Sequence, residues 1–388
     1  MALVRSAKDS EYSMSAINAD ETWQLLKASV DSYLAARHDR ARMRRPQADT
    51  GAIRFALWRE MAQLGWLSLT MPESMGGSGL PLRDAAALAE LFGISLVPEP
   101  LVACGLMPAT LLSACHVGSE RDRLASWLVT GERCLSIAWQ ERTGEIEPQV
   151  PQTALDAAGL LTGQKLFVPL TFSDSMLLVS AIRGTETVIV MIAADAPGVN
   201  IKRQLMGDGG YSATIVFEQA RVIEEPLAQG VLATRALQRA LDAGTTAVAA
   251  ALAGAASGAL MLALEHLRTR TQFGRPIGEF QVLQHRAADL YVGVEQAKAS
   301  WREAAACCER APDAASNAIA ISAAKSRCAK SALAVGKGAV QLFGALGYTE
   351  EADIGLFLRA SLYWASWLGT ESLHRRRFYN ALRSARHA

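Results

Sequence analysis

The chain has 388 residues, half of them hydrophobic, and a formal net charge of +1 at pH 7. This composition supplies a sizeable core, and a charge so near zero gives no reason to expect nucleic acid or a membrane surface as a partner. The six cysteines form no C-x-x-C pair, the six histidines show no metal-binding spacing, and the first residues lack the apolar run of a signal peptide. We therefore expect a cytoplasmic protein with reduced core thiols and no metal.

Most of the first 131 residues carry apolar side chains at helical spacing. A loop with Pro72 and glycines at positions 76, 77 and 79 interrupts this pattern. The loop follows no predicted strand and does not read G-x-G-x-x-G, which argues against a dinucleotide-binding βαβ unit. The predicted helices span Ala19–Ala36, Ala52–Leu64, Leu80–Phe92 and Met107–Ala114.

The pattern changes to short β-rich runs near Cys134 and returns to helices after about residue 228. The spacing of these runs predicts an antiparallel sheet or barrel of about six or more strands. We place the domains at 1–131 (helical), 132–228 (β) and 229–388 (helical). The six β-rich runs begin at Cys134, Leu160, Met176, Thr187, Val199 and Ser212.

Four long helices with short connections are predicted in the last domain, which indicates an antiparallel bundle. Residues Ala243–Leu264 carry no charge and could span a membrane by length. Because this stretch is dominated by small residues, we interpret it as a buried bundle helix. The small side chains either leave room for a bulky ligand or let helices pack closely. The four helices span Leu237–Thr269, Phe280–Glu309, Ala314–Leu342 and Gly355–Leu382.

The break between the first two of these helices spans Arg268–Gln284, with the sequence RTRTQFGRPIGEFQVLQ. Arg268 and Arg270 lie two positions apart, so on a helix only one can point at a given target. The planar guanidinium suits phosphate, and a helix beginning near Gly278 would offer free backbone N–H groups to the same anion. A helical corner with solvated arginines fits this pattern equally well.

The order R-x-x-F-G-x-P-I-G-x-F-Q, followed by Q-H-x-x-A-D, resembles the central signature of acyl-CoA dehydrogenases. These are FAD enzymes that oxidise the Cα–Cβ bond of acyl thioesters. The glycine-rich segment from Gly65 to Gly79 and the run Gln341–Tyr348 resemble two further segments of that family. The resemblance implies an α+β fold, with an N-terminal helical domain, a middle antiparallel β domain and a C-terminal four-helix bundle. The residues that carry the central signature are Arg270, Phe273, Gly274, Pro276, Ile277, Phe280, Gln281, His285, Ala288 and Asp289.

The resemblance also assigns residues to FAD. It places Arg270 at the pyrophosphate and Gln341 at the site of a neighbouring subunit. In the family's Q-x-x-G-G-x-G motif the second glycine is Ala345 here, which adds a methyl group where backbone should approach closely. The full set assigned to FAD is Arg270, Phe273, Gln281, Gln341, Thr370, Gln140 and Phe167.

The β domain departs from the family pattern where the flavin ring should bind. The stretch AWQERTG resembles the family's T-E-P-x-x-G-S-D loop: Glu141 matches, Gln140 replaces a threonine, and the G-S-D end is missing. Phe167 could still stack at the ring's edge. Pro169 lacks both an N–H group and a hydroxyl, so one expected flavin contact is lost.

Neither position that carries the catalytic base in the family holds a carboxylate. One is Leu368, which precedes the matching Gly369 and Thr370, and the other is Gly244, 29 residues before Phe273. Asp242 and Glu371 lie nearby in sequence and are weak substitutes, because each is more simply a helix-cap or surface carboxylate. We therefore assign no catalytic residue to this chain.

An intact scaffold without a base resembles the degenerate subunit of α2β2 bacterial acyl-CoA dehydrogenases of fatty acid or steroid side-chain degradation. The first hypothesis is such a subunit, sharing FAD and an acyl-CoA thioester with a homologous subunit that supplies the base. The resemblance names an electron-transfer flavoprotein as electron acceptor, and a homo-oligomer remains the alternative assembly. Two other functions stay open: a flavin-dependent monooxygenase on the same fold, or a structural subunit with no site of its own.

Overall fold

The computed structural model describes residues 21, 23–36, 40–44, 51–170, 172, 174–223, 225–311 and 316–385. The predicted helix starts at Ala19 and Ala314 lie outside these ranges. Residues 23–36 form helix α1, which belongs to a unit of its own spanning Met1–Asp39. Within it Lys27 and Asp31 form an i,i+4 ion pair of 2.5 Å. The rest of the fold lies in the second unit, Arg40–Ala388.

The helical part of the second unit before the sheet contains five α-helices, counted over the described residues. The predicted helices 52–64, 80–92 and 107–114 are confirmed within a few residues. The last helix was not predicted, because its sequence SERDRLASWLVT is mostly polar and buries few side chains. The helices are α2 (Ala41–Arg44), α3 (Gly51–Gln63), α4 (Leu82–Ser95), α5 (Met107–Ser113) and α6 (Ser119–Thr130), and a π-helical turn, Leu101–Leu106, precedes α5.

The middle of the chain forms one eight-stranded sheet in the order β6-β7-β3-β2-β4-β5-β8, with β1 paired to β4. All six predicted runs are strands, and pairing is antiparallel except where β1 and β2 run parallel to β4. The two missed strands, β2 and β8, have two residues each, too few to show alternation. The strands are β1 (Leu135–Ala138), β2 (Ala154–Leu155), β3 (Leu160–Pro169), β4 (Met176–Arg183), β5 (Glu186–Ala193), β6 (Val199–Leu205), β7 (Tyr211–Arg221) and β8 (Ala228–Gln229).

The C-terminal part is helical, with one short hairpin between its first two helices. The prediction of a single fourth helix over Gly355–Leu382 is wrong, because the chain turns at Leu368 and Gly369, whose φ angles are 56° and 110°. These angles are incompatible with a continuous right-handed helix. The elements are α7 (Val231–Thr269), β9 (Thr271–Gln272), β10 (Arg275–Pro276), α8 (Gln281–Arg310), α9 (Asn317–Phe343), α10 (Ile354–Ser366) and α11 (Glu371–Ala385).

Helix α7 is the central helix of the core. It is long and apolar enough to cross a membrane, but 83% of its most apolar window is buried inside the protein. A Cβ atom built on Gly254 would lie 2.0 Å from the carbonyl oxygen of Glu90, and one on Gly258 would lie 2.4 Å from that of Ile94. The small residues at these two positions therefore serve close packing against α4 and leave no room there for a bulky ligand.

Four of the six cysteines are buried, and all six are free thiols. Cys307 and Cys308, which we expected in the core, are only partly buried near the end of α8. Burial raises the pKa of Cys115 and of Cys308 to about 12. These thiols therefore stay protonated at neutral pH.

Candidate functional site

The turn between α10 and α11, residues Trp367–Thr370, lies at the centre of the candidate site. A Cβ atom built on Gly244 of α7 would lie 3.2 Å from Cδ1 of Leu368 and 2.6 Å from Sδ of Met107. Gly244 and Leu368 are the two positions at which the family resemblance expects a base, and they face the same spot. Met107 fills the space that a longer side chain at 244 would need. None of these three residues can take a proton.

The two substitute carboxylates have other partners. Asp242 accepts a hydrogen bond of 3.1 Å from Arg377, whose Nε also donates to Glu147 at 2.8 Å. Burial raises the pKa of Asp242, while the charge of Arg377 opposes that rise. Glu371 lies 3.9 Å from Arg375 and remains partly exposed. Their contacts are those of structural carboxylates, and their catalytic role remains an untested prediction.

A small aromatic cavity lies on the Trp367 side of the turn. It encloses about 70 Å³ and is lined by Tyr363, Trp364, Trp367 and Pro169, among others. The rings of Tyr363 and Trp367 stack, with centroids 6.2 Å apart, and Trp364 donates a hydrogen bond of 3.0 Å to half-buried Asp208. The aromatic cavity is therefore a small, ring-lined space next to the turn.

Gln140 and Phe167, predicted at the flavin ring, are neighbours in the structure. The backbone N–H of Leu166 donates to the carbonyl of Gln140 at 2.8 Å. The side-chain amide of Gln140 donates to the carbonyl of Arg142 at 2.9 Å. Phe167 has a φ of 54° and is 47% exposed, so its ring is available to a ligand.

Glu141, which matches the family's flavin loop, is engaged within the protein. It accepts a hydrogen bond of 2.7 Å from the buried Lys165, and the backbone N–H groups of Gln152 and Thr153 donate to it at 2.6 and 2.8 Å. Burial lowers the pKa of Lys165 to about 8. Burial alone would raise the pKa of Glu141, but the bonds from Lys165 and Thr153 hold it below its ordinary value. The pair ties the loop to strand β3.

The predicted break after α7 is a β-hairpin with a two-residue turn at Phe273 and Gly274. Both have positive φ, 54° and 80°, as a type I′ turn requires. Phe273 is 90% exposed, and its ring meets that of Phe280 edge-on at 6.1 Å. The α-helix expected near Gly278 begins three residues later, at Gln281, after a 3₁₀ turn.

The residues predicted for FAD fall into separate groups. The ring of His266, near the end of α7, stacks on that of Phe343 at 4.2 Å, so the hairpin lies beside the end of α9. This end of the bundle carries Arg270, Phe273, Gln281 and Gln341, all exposed. Thr370 lies near Lys325, which donates to the carbonyl of Gly369 at 2.7 Å. Lys325 is 16 residues before Gln341 on the same helix, a rise of roughly 24 Å.

The exposed end of the bundle fits a phosphate-bearing, aromatic-bearing group. Gly344 has a φ of 64°, and a Cβ atom built on it would have no heavy atom within 4 Å, so its backbone is open to approach. Ala345, which replaces the family's second glycine, is exposed, so its methyl group points into no packed contact. Arg270 and Gln341 supply donors there, and Phe273 supplies an aromatic face. At the ring side, Pro169 leaves one donor fewer.

A large cleft that the sequence analysis missed opens between α7, α11 and the turn joining β4 and β5. Its volume is about 1060 Å³, and its lining includes Arg235, Gln238, Asp242, Arg377 and Glu147. The signal was present in the sequence: polar residues at positions 235, 238, 239 and 242 recur at helical spacing on an otherwise apolar helix. The lining carries three arginines and three carboxylates, and Arg377 is paired with Glu147 and Asp242 within it, so the cleft is polar without an excess of either charge.

Two family models match the chain. The one described as "Acyl-CoA dehydrogenase, N-terminal domain" covers residues 20–120, and the one described as "Acyl-CoA dehydrogenase, C-terminal domain" covers residues 234–382. Together they span the two helical parts of the fold and leave out the sheet.

Curated relatives and solved structures match over most of the chain. Acyl-CoA dehydrogenase IpdE2 of Mycobacterium tuberculosis is 29% identical over 343 residues, which cover 87% of this chain and 90% of that protein. IpdE2 of Mycolicibacterium smegmatis is 30% identical over 315 residues, covering 81% and 83%. A solved structure of the Tcur3481-Tcur3483 steroid ACAD, in a variant form, superposes with a TM-score of 0.83 and 26% identity, covering 95% of this chain and 99% of that one.

Proposed function

The chain belongs to the acyl-CoA dehydrogenase family, and we propose that it is a flavoprotein subunit for α,β-desaturation of an acyl-CoA thioester. In this proposal a homologous partner subunit supplies the catalytic base, and the two chains share an FAD site. Electrons leave through an electron-transfer flavoprotein. The free thiols fit a cytoplasmic location.

Desaturation removes a proton from Cα and a hydride from Cβ as the double bond forms. FAD, when bound, accepts the hydride, so the protein must supply a group that accepts the proton. This chain's residues would bind and orient FAD. Arg270 would face the pyrophosphate, Gln341 would reach the adenosine diphosphate in a neighbour's site, and Phe273, Gln281 and Thr370 would add contacts. Gln140 and Phe167 would lie near the flavin ring.

The observation that carries the proposal is the apolar contact of Met107 and Leu368 around Gly244. The two positions expected to hold a base, 244 and 368, lie next to each other, and the space between them is filled by the Met107 thioether and the Leu368 side chain. A chain that retains the residues assigned to FAD but has no base at either position is suited to half of a shared site.

The cleft beside α7 supports a role in holding the substrate. Its volume of about 1060 Å³ is large enough for part of an acyl-CoA, and its polar lining combines arginines with carboxylates. An acyl group from steroid degradation is the substrate class that the name of the similar steroid ACAD suggests. That name also pairs two components, which accords with a two-subunit assembly.

The first test is the visible absorption spectrum of the purified chain, alone and co-purified with a homologous acyl-CoA dehydrogenase encoded beside it. We expect a colourless lone chain and a yellow complex that reduces an electron acceptor on addition of a steroid-derived acyl-CoA. Replacing the partner's carboxylate should abolish this activity. A lone chain that binds one FAD and desaturates substrate by itself would refute the shared site.

The FAD assignment is tested separately with Arg270→Ala in the complex. Loss of the guanidinium should weaken FAD affinity at least tenfold, because a charge-assisted bond to phosphate contributes about 1.5–3 kcal/mol. Arg203→Ala, at an exposed position of strand β6, is the matched control. Unchanged FAD affinity in Arg270→Ala would remove Arg270 from the site.

A structural subunit is the second candidate function. The packing of Met107 and Leu368 beside Gly244 favours it too, because a subunit without a catalytic role needs no space for a base there. It predicts a complex whose FAD content stays constant when Arg270 or Thr370 is replaced. Oxygen uptake by the complex with a flavin reductase would instead indicate a monooxygenase, for which no α-proton base is needed.

A further inference from the structure

The turn at Trp367–Thr370 is held from behind by two buried side chains. The amine of Lys325 donates to the carbonyl of Gly369 at 2.7 Å and to that of Ala365 at 3.3 Å. Nε2 of His374 donates to the carbonyl of Leu368 at 2.8 Å. Both side chains are completely buried. We call Lys325 and His374 the carbonyl clamp.

Burying an amine without a carboxylate is costly. In the part of the chain that the structure describes, Lys325 forms no ion pair, and its hydrogen bonds go to backbone carbonyls. A methionine of similar length would pack among the apolar neighbours without the desolvation cost. Burial lowers the pKa of Lys325 to about 7, because the charged amine loses its hydration.

The turn that the carbonyl clamp holds separates two spaces. Trp367 lines the aromatic cavity, whereas Thr370 lines a groove of about 470 Å³ together with Glu371 and Arg375. Between them Leu368 has a φ of 56°, a left-handed conformation that is strained for a residue with a Cβ atom. The clamp binds the carbonyls of Leu368 and Gly369, and the Thr370 hydroxyl that follows accepts a hydrogen bond of 3.4 Å from the backbone N–H of Leu373 at the start of α11.

We propose that Lys325 and His374 are positioning residues that set the turn, and through it Thr370, for FAD. The proposal rests on the proposed function, since it needs FAD at the groove beside Thr370. The role of the carbonyl clamp goes beyond helix capping. The bond from Lys325 to the carbonyl of Ala365 would suffice to cap α10, but the bonds to the carbonyls of Leu368 and Gly369 act on the turn itself.

The test uses the complex of this chain with its homologous partner, stripped of flavin and titrated with FAD. Lys325→Met removes the donors at similar length, and Lys330→Met, exposed on the same helix, is the control. We expect Lys325→Met to weaken FAD affinity at least tenfold and Lys330→Met to leave it unchanged. His374→Leu should behave like Lys325→Met, and His374→Gln, which keeps a donor, should restore part of the affinity.

A double-mutant cycle with Thr370→Ala separates positioning from general damage. If the carbonyl clamp acts through Thr370, Lys325→Met loses its effect on FAD affinity in the Thr370→Ala background. An equal loss in both backgrounds would overturn the proposal, as would wild-type FAD affinity in Lys325→Met. If Lys325→Met does not fold, His374→Leu carries the same cycle. A wild-type complex without flavin would refute the proposed function itself, and the clamp's role at FAD with it.

Discussion

Two turns in the C-terminal part each contain two successive residues with positive φ, but their surroundings differ. Phe273–Gly274 and Leu368–Gly369 both place a large residue and then a glycine at positive φ. At the hairpin, Phe273 is 90% exposed, and a Cβ atom on Gly274 would meet no heavy atom within 4 Å. At the other turn, a Cβ atom on Gly369 would lie 2.6 Å from Ile146 and 2.7 Å from His374.

The difference shows whether contacts within this chain account for the positive φ angle of each large residue. The conformation of Leu368 is explained by contacts inside this chain, because the buried donors Lys325 and His374 bind the backbone carbonyls of the turn. Phe273 is 90% exposed and, among the described residues, its one ring contact is with Phe280, whereas glycine or asparagine would form the same turn at less cost. We interpret the hairpin as a surface built for a contact outside the chain, in line with the proposed shared FAD site.

The largest expected effect comes from adding a methyl group to each turn. Gly369→Ala should destabilise the protein by about 3 kcal/mol or more, because backbone strain is added to overlap with Ile146 and His374. Gly274→Ala should cost only about 1 kcal/mol, which is the strain alone. Urea unfolding of the lone chain measures both. Equal losses in the two variants would mean that the turns are not held differently.

A smaller effect should appear on acidification. Burial, and then the nearby charge of Lys325, lower the pKa of His374 to about 3. The unfolded chain takes up a proton near pH 6.5 while the folded chain does not, so stability falls as the pH drops below 6.5. Between pH 7 and pH 5 the loss attributable to His374 should be about 2 kcal/mol.

The measurement is urea unfolding at both pH values for wild type and His374→Gln. The variant should lack this part of the pH dependence, whereas His285→Gln, exposed on α8 after the hairpin, should keep it. Lys325 and Arg377 both contribute charge at His374 and remain in every variant. A pH dependence shared by wild type and His374→Gln would contradict the burial argument.

The smallest effect on stability is expected for Phe273→Ala. An exposed side chain contributes little to the fold, so the free energy of unfolding of the lone chain should change by less than about 0.5 kcal/mol. The complex should nevertheless lose FAD affinity. Val150→Ala, at another exposed apolar position, is the control. If Phe273→Ala destabilises the lone chain strongly, the hairpin serves this chain's own fold.

The sequence predicted those helices and strands whose apolar residues follow a regular spacing over many consecutive positions. Short β-rich runs between turn residues located all six strands longer than two residues in the described chain, and helical spacing located α7, α8 and α9. It did not predict the break after α10, because apolar residues continue through Trp367 and Leu368 with helical spacing. Only the tertiary environment shows that this leucine leaves the helix.

The site was predictable only in part. The family signature identified candidate FAD residues, and the absent carboxylates at 244 and 368 could be read directly. Met107, which fills the space beside Gly244, comes from 137 positions earlier and no local pattern links them. Lys325 had a usable signal, because it shares the apolar face of α9 with Ile321, Cys328 and Ala332. A lysine in a helix is so often exposed that this spacing was easily passed over.

The buried Lys165–Glu141 pair bears on the order of assembly. It joins β3 to the loop from Trp139 to Thr153 with groups of this chain alone. We therefore expect the loop to keep its conformation in the folded subunit without flavin. Flavin supply would then limit the amount of active complex and leave the amount of folded subunit unchanged.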